Sequence, residues 1–234
     1  MTTHLLGIDL AWKGHNSTGI AVGEVQNNQL QVVELASTTL SLEQLLSQVK
    51  RWQPVGIAID APLIIPNQTG QRDCERLVGR RYGHKGASCH TSNLDLYPDA
   101  ISVQLSRKLA TDGYAHQQGG RWQIECYPHP ALIEVFGLAY RLAYKKGLAE
   151  NKRAGQIQLA RHLLSLESHP HLPMRIPPAY ADYVRPEVIQ TLKGTALKQN
   201  EDRLDTLVCL YIAFRHHQGL SLSFGTEEQG YIVI

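Results

Sequence analysis

Residues 4–12, "HLLGIDLAW", form an apolar run with a single acid, Asp9, planted in it. The run has the composition of a buried strand. An unpaired carboxylate in such a strand costs several kcal/mol, on the order of the whole stability of a small domain, so Asp9 requires a partner. A cation, a bound metal or an exposed strand end would supply it.

Working outward, a polar turn at residues 13–17 is followed by two β-rich runs, "TGIAVGEV" and "LQVVELA", separated by Gln26-Asn-Asn-Gln29. Three short strands joined by tight polar turns predict an antiparallel meander. Residues 41–52, "SLEQLLSQVKRW", carry apolar side chains at 42, 45, 46, 49 and 52 behind Ser41 as an N-cap, which predicts an amphipathic helix. Residues 55–61, "VGIAIDA", predict a fourth strand that ends on a second acid, Asp60, and stops at Pro62. "WQIECY", residues 122–127, predicts a fifth, with Glu125 near its end. Helices are expected at 72–81, around 98–111, at 130–144, 152–167 and 196–218, and the tail "GYIVI" as a short strand.

A strand that returns through a helix after a meander lies parallel to a neighbour by a right-handed crossover. Strand 4 is therefore expected beside strand 1 and strand 5 beyond strand 4. That order gathers Asp9, Asp60 and Glu125 on neighbouring strands, with Asp9 and Asp60 the closest pair. The last helix adds Asp202 and Asp205, three residues apart on one face, above a stripe of Leu204, Leu207, Val208 and Tyr211.

The totals limit the class. At 234 residues, 43% hydrophobic and 19% charged, the chain has the composition of one globular α/β domain without internal repeats. A net charge of +2 is too mild to argue nucleic-acid binding by itself. Cys74, Cys89, Cys126 and Cys209 are widely spaced, which suggests neither a disulfide framework nor a zinc ribbon. With no leader-like start and no apolar run near 20 residues, the expectation is a cytoplasmic protein that does not engage membranes.

The segments "GIDLAW", "IAIDAPL", "RDCERL", "IECYPHP", "DRLDTLVCLYIA" and "GYIVI", in this order, make the sequence similar to the ribonuclease H-like superfamily, and more closely to a family described as predicted ribonuclease H-like nucleases. The resemblance implies a mixed five-stranded sheet, an antiparallel meander plus parallel strands, flanked by helices. Residues 1–234 would form one such domain, with 63–121 and 140–195 as largely helical or loop elaborations.

It further implies that Asp9, Asp60 and Asp205 bind one or two Mg²⁺ or Mn²⁺ ions. Asp202 matches the paired helix acids of the Holliday-junction resolvase branch. Glu125 has no clean counterpart and joins the catalytic set through its expected nearness to Asp60. Hard divalent ions take oxygen ligands, and a pair of them can stabilise the attacking and leaving oxygens of a phosphodiester displacement.

Substrate contacts are expected from Arg72, Arg76 and Arg80, which recur every four residues, from Lys85 in the loop "RRYGHKGASCHTSN", and from His129 in "YPHP". Residues 141–161 are the most basic stretch, with Arg141, Lys145, Lys146, Lys152, Arg153 and Arg161 against Glu150. These features predict a metal-dependent nuclease acting on DNA or RNA. The alternatives are a non-catalytic nucleic-acid-binding module and an actin-like or sugar-kinase-like phosphotransferase, whose first phosphate loop "GIDLAWKGHNSTGIAV" resembles.

Overall fold

The computed structural model describes residues 2–11 and 17–234, so most of the expected turn after the first strand lies outside the described residues. Strands β1 (Thr3–Asp9), β2 (Thr18–Gln26) and β3 (Gln29–Thr38) form the predicted antiparallel meander. The β2–β3 hairpin turns on Asn27 and Asn28, both at positive φ, 50° and 58°. Asparagine tolerates that region, and the resulting turn matches the twist of the flanking strands.

Helix α1 (Leu42–Trp52) begins in a capping box: Gln44 N–H donates to Ser41 Oγ at 3.3 Å, and Ser41 N–H donates to Gln44 Oε1 at 2.8 Å. It carries the chain across to β4 (Gly56–Ile59), parallel to β1 with Ile8 opposite Ile59. Helices α2 (Asp73–Tyr82) and α3 (Ile101–Thr111) and the two-residue strand β5 (Ala115–His116) precede β6 (Trp122–Glu125), which runs parallel to β4. There follow α4 (Pro128–Phe136), α5 (Ala149–Ser165), β7 (Met174–Arg175), α6 (Pro186–Ile189) and the long α7 (Gly194–His217). The hairpin β8 (Ser223–Thr226) and β9 (Gly230–Val233) closes the chain.

The sheet order β5-β6-β4-β1-β2-β3-β7 contains the expected order of the five longer strands, β3-β2-β1-β4-β6, at its centre. It has seven strands where five were expected. The additions are two-residue strands, too short to carry a period legible in sequence. The expected helix over 130–144 ends at Phe136 because Gly137 adopts φ 62° and caps it; residues 137–148 then run without helix or strand.

Side-chain alternation splits the sheet into two faces. Leu6, Ile8, Val22, Ile57 and Ile59 belong to the core beside α1 and α3. Leu5, Ala21, Ala58 and Ile124 belong to the larger core beneath α7. The α7 face is lined with small residues, and at Gly7 the helix lies so close that an added Cβ would stand 2.3 Å from Leu210 N and 2.7 Å from Thr206 O. This close approach sets the height of Asp202 and Asp205 above the sheet.

Gly7→Ala is therefore expected to destabilise the fold by about 2–3 kcal/mol, because the obstacle is helix backbone that cannot repack. Gly79→Ala, in α2 with nothing near its added Cβ, should stabilise by about 0.5–1 kcal/mol. Urea unfolding of both variants checks this, and an unchanged midpoint for Gly7→Ala would contradict the packing argument.

Candidate active site

Asp9 is the last residue of β1, and Asp60 directly follows β4. The parallel register brings the two together: Asp60 N–H donates to Ile8 O at 2.9 Å. Both acids lie one residue beyond the Ile8–Ile59 pair and so belong to the α7 face. Asp205 reaches the same corner from α7. Asp9 feels the charge of each of Asp205, Asp60 and Asp202. The strand end opens into a cavity of about 650 Å³, lined among others by Asp9, Asp60, Asp202, His129, Arg141 and Lys146.

The acids differ in what already satisfies them. Asp202 Oδ2 accepts hydrogen bonds from Ser17 Oγ and, at 3.3 Å, from Ser37 Oγ, while Lys198 Nζ stands 2.8 Å from its Oδ1. Asp205 accepts Tyr144 O–H on Oδ1 at 2.5 Å and faces Lys145 Nζ on Oδ2 at 3.0 Å. The same ammonium is 3.9 Å from Asp60 Oδ2. Among the described residues, no hydrogen bond or ion pair reaches the carboxylate of Asp9.

Crowding leaves a chemical mark. Burial, then repulsion from Asp205, Asp60 and Asp202, hold the Asp9 carboxyl well above the usual carboxylate range, although Lys145 opposes them. Burial, with Asp205 and Glu125 adding to it and Lys145 opposing, pushes Asp60 up to about 7. Burial works against the charge of Lys145, but Asp205, Tyr144, Asp60 and Asp9 outweigh it and hold the side chain as ammonium.

Glu125 departs from the sequence expectation. It stands opposite Ile59 in the register, hence on the other face from Asp60. Both its oxygens are taken by Arg72, at 2.6 and 2.8 Å, and Oε2 also accepts Leu63 N–H at 2.9 Å. Arg72 in turn binds Glu75 at 2.8 Å and Ile64 O at 2.9 Å, and is 3% exposed. This bidentate pair forms part of the cavity wall and already engages both Glu125 oxygens.

Arg76 and Arg80 are exposed and do not line the cavity; Arg76 pairs with Asp73. Lys85 also lies off the cavity, donating to Leu138 O at 3.4 Å. A four-residue spacing gave those arginines a common helix face without fixing which way it looks. His129 does line the cavity, near the start of α4, with Nδ1 buried and unpaired. Burial and the positive charges of Lys145, Arg141 and Lys146 bring its pKa down to about 3, so it is a neutral imidazole near pH 7.

The residues that sequence reasoning missed are Tyr144 and Lys145. Lys145 fell within the basic stretch, but nothing in its spacing told that it faces acids rather than solvent. Residues 137–148 are pinned across the site by Arg141 N–H on Lys85 O at 3.0 Å and by contact with α5, where Gly155 lets the backbone of Ala143 and Tyr144 pack against it. Among the described residues, no three His, Cys, Asp or Glu side chains form a ready-made metal cage.

Between about pH 4 and pH 7, folded Asp60 retains a proton that the unfolded chain has lost, so its contribution to stability falls as pH rises through that window. Thermal melts in EDTA from about pH 5 to about pH 7.5 should show a declining midpoint for the wild type and a shallower decline for Asp60→Asn. Parallel profiles would contradict the assignment.

Among solved structures, the chain is similar to T. thermophilus RuvC in complex with a Holliday junction substrate, at 11% identity over 93% of this chain and 97% of that one, with a TM-score of 0.38. No curated protein matches it. The family model described as "Protein of unknown function (DUF429)" matches residues 7–230, a span that includes every acid of the cluster, and the chain belongs to that family.

Proposed function

We propose that this protein is a divalent-metal-dependent nuclease that hydrolyses phosphodiester bonds of DNA or RNA. The observation that carries the reading is the convergence of Asp9, Asp60 and Asp205 at one strand end beside a cavity with a basic rim. Acids that only cap or solubilise a helix have no reason to meet two strand acids in a buried corner.

The donor set fits Mg²⁺ or Mn²⁺. All the groups are carboxylate oxygens, the ligands hard cations take, and Asp9 has no partner among the described residues. Asp9, Asp60 and Asp205 would hold the ion, which when bound supplies Lewis-acid stabilisation of charge on the phosphate. Asp202, satisfied by Ser17, Ser37 and Lys198, positions the N-terminal half of α7.

Arg141 and Lys146 line the cavity without an ion-pair partner among the described residues, and are the groups to receive substrate phosphates. His129, a neutral imidazole with Nδ1 unpaired, can make a hydrogen bond to substrate at that atom. The cavity is of a size that encloses one nucleotide unit, so mononucleotides belong in the substrate panel with single-stranded, duplex and branched nucleic acids.

Asp9→Asn should lower Mg²⁺- or Mn²⁺-dependent cleavage by more than about a hundredfold, while raising the melting temperature in EDTA because one desolvated, repelled charge is gone. Opposite signs in activity and stability mark a residue kept for function. Arg141→Glu with Lys146→Glu should weaken substrate binding and flatten its dependence on salt. If the wild type binds nucleic acid but cleaves nothing with either ion, the non-catalytic module is the better account.

A further inference from the structure

We propose that Lys145 is a built-in counter-cation occupying the place between Asp60 and Asp205 that a divalent ion would take, so that ion and ammonium bind in competition. This rests on the reading of the acids as metal ligands, and goes beyond it by stating what the metal-free site contains.

The geometry points this way through the accounting of oxygens. Asp205 has both of its oxygens engaged, by Tyr144 at 2.5 Å and by Lys145 at 3.0 Å. An ion that takes Asp205 must displace one of them. Tyr144 is neutral and fully buried, so it has little reason to leave. Lys145 is a charge, and the same ammonium also reaches Asp60. A second cation in that corner would be repelled by it at short range and low dielectric, which makes Lys145 the group that yields.

Lys145 is also built to yield. Its side chain is 28% exposed and lines the cavity, so a path away from the acids exists. A lysine ends in a compact point charge on a flexible four-carbon stem, unlike the fixed fork of an arginine. Its backbone is held, by contrast: Gly155 admits the neighbouring backbone of Ala143 and Tyr144 against α5, and an added Cβ there would stand 2.2 Å from Ala143 O. The anchored segment returns the ammonium to the acids whenever the ion departs.

Calorimetric titration of the metal-free protein with MnCl₂ tests the proposal, comparing wild type with Lys145→Met and Lys146→Met. If Lys145 is off the acids in about a tenth of molecules or fewer, Lys145→Met should bind Mn²⁺ at least about tenfold tighter than wild type. Lys146→Met, which removes an equal charge from the cavity wall without touching the acids, should change affinity far less. Equal affinity in wild type and Lys145→Met, or equal tightening in both variants, overturns the competition. Absence of binding to all three overturns the metal site itself and the competition with it.

Should Lys145→Met fail to fold without metal, the wild type carries the test. Amine acetylation read by peptide mass spectrometry should label Lys145 faster when Mg²⁺ is added, with exposed Lys50 unchanged. An unchanged Lys145 rate at metal concentrations that saturate the calorimetric signal overturns the proposal.

Discussion

Mutual repulsion among carboxylates in one buried corner is the constraint on which the functional end of this molecule depends. Asp9 and Asp60 are brought there by the parallel pairing of β1 with β4, and Asp205 by a helix that descends onto Gly7 until backbone meets backbone. Neither arrangement can relax without opening the core. The fold therefore fixes the charges first, and the chain between α4 and α5 supplies the cation that makes the arrangement tolerable.

The buried acids near the cavity separate into two kinds by how completely they are satisfied. Glu75, Glu125 and Asp202 have their oxygens occupied by guanidinium, ammonium, hydroxyl or backbone N–H donors. Losing either partner of the Arg72–Glu125 pair would strand a charge in the core, which is why such groups act as struts. Asp9 is left with repulsion and no ion pair among the described residues, and Asp60 with only the ammonium it shares with Asp205. Replacing either carboxyl with an amide would relieve that repulsion, so on the proposed metal reading their charge would serve the ion rather than the fold.

Much of this was legible in the sequence, and the part that was not has a physical cause. Alternating and 3.6-residue periods located the meander, α1, β4, β6 and α7, and the crossover rule placed Asp9 beside Asp60. Periodicity speaks only for regular elements. It says nothing of residues 137–148, which have none, and so the basic stretch was read as facing a polyanionic substrate while one of its lysines lay against the acids. Arg72 misled for a related reason: it precedes α2 in extended conformation, so the four-residue spacing does not put it on the exposed face of Arg76 and Arg80, and it turns in to Glu125 instead. For Glu125 the strand was right and the nearness to Asp60 was right; a one-residue step in the register put it on the opposite face.

A site of this construction differs from one in which the metal organises the fold. Where a metal is the only answer to clustered charges, the metal-free chain unfolds and binding free energy becomes folding free energy. Here an ammonium tethered to the chain stands against Asp60 and Asp205 and offsets part of their repulsion, so the β1–β4–α7 corner carries a counter-charge of its own. Under the proposed competition, an ion would gain only the difference between its own attraction to the acids and that of Lys145. A metal site built this way would be preformed but weaker than its carboxylates alone would make it. Its occupancy would then depend on free metal concentration, because the alternative cation is carried by the same chain.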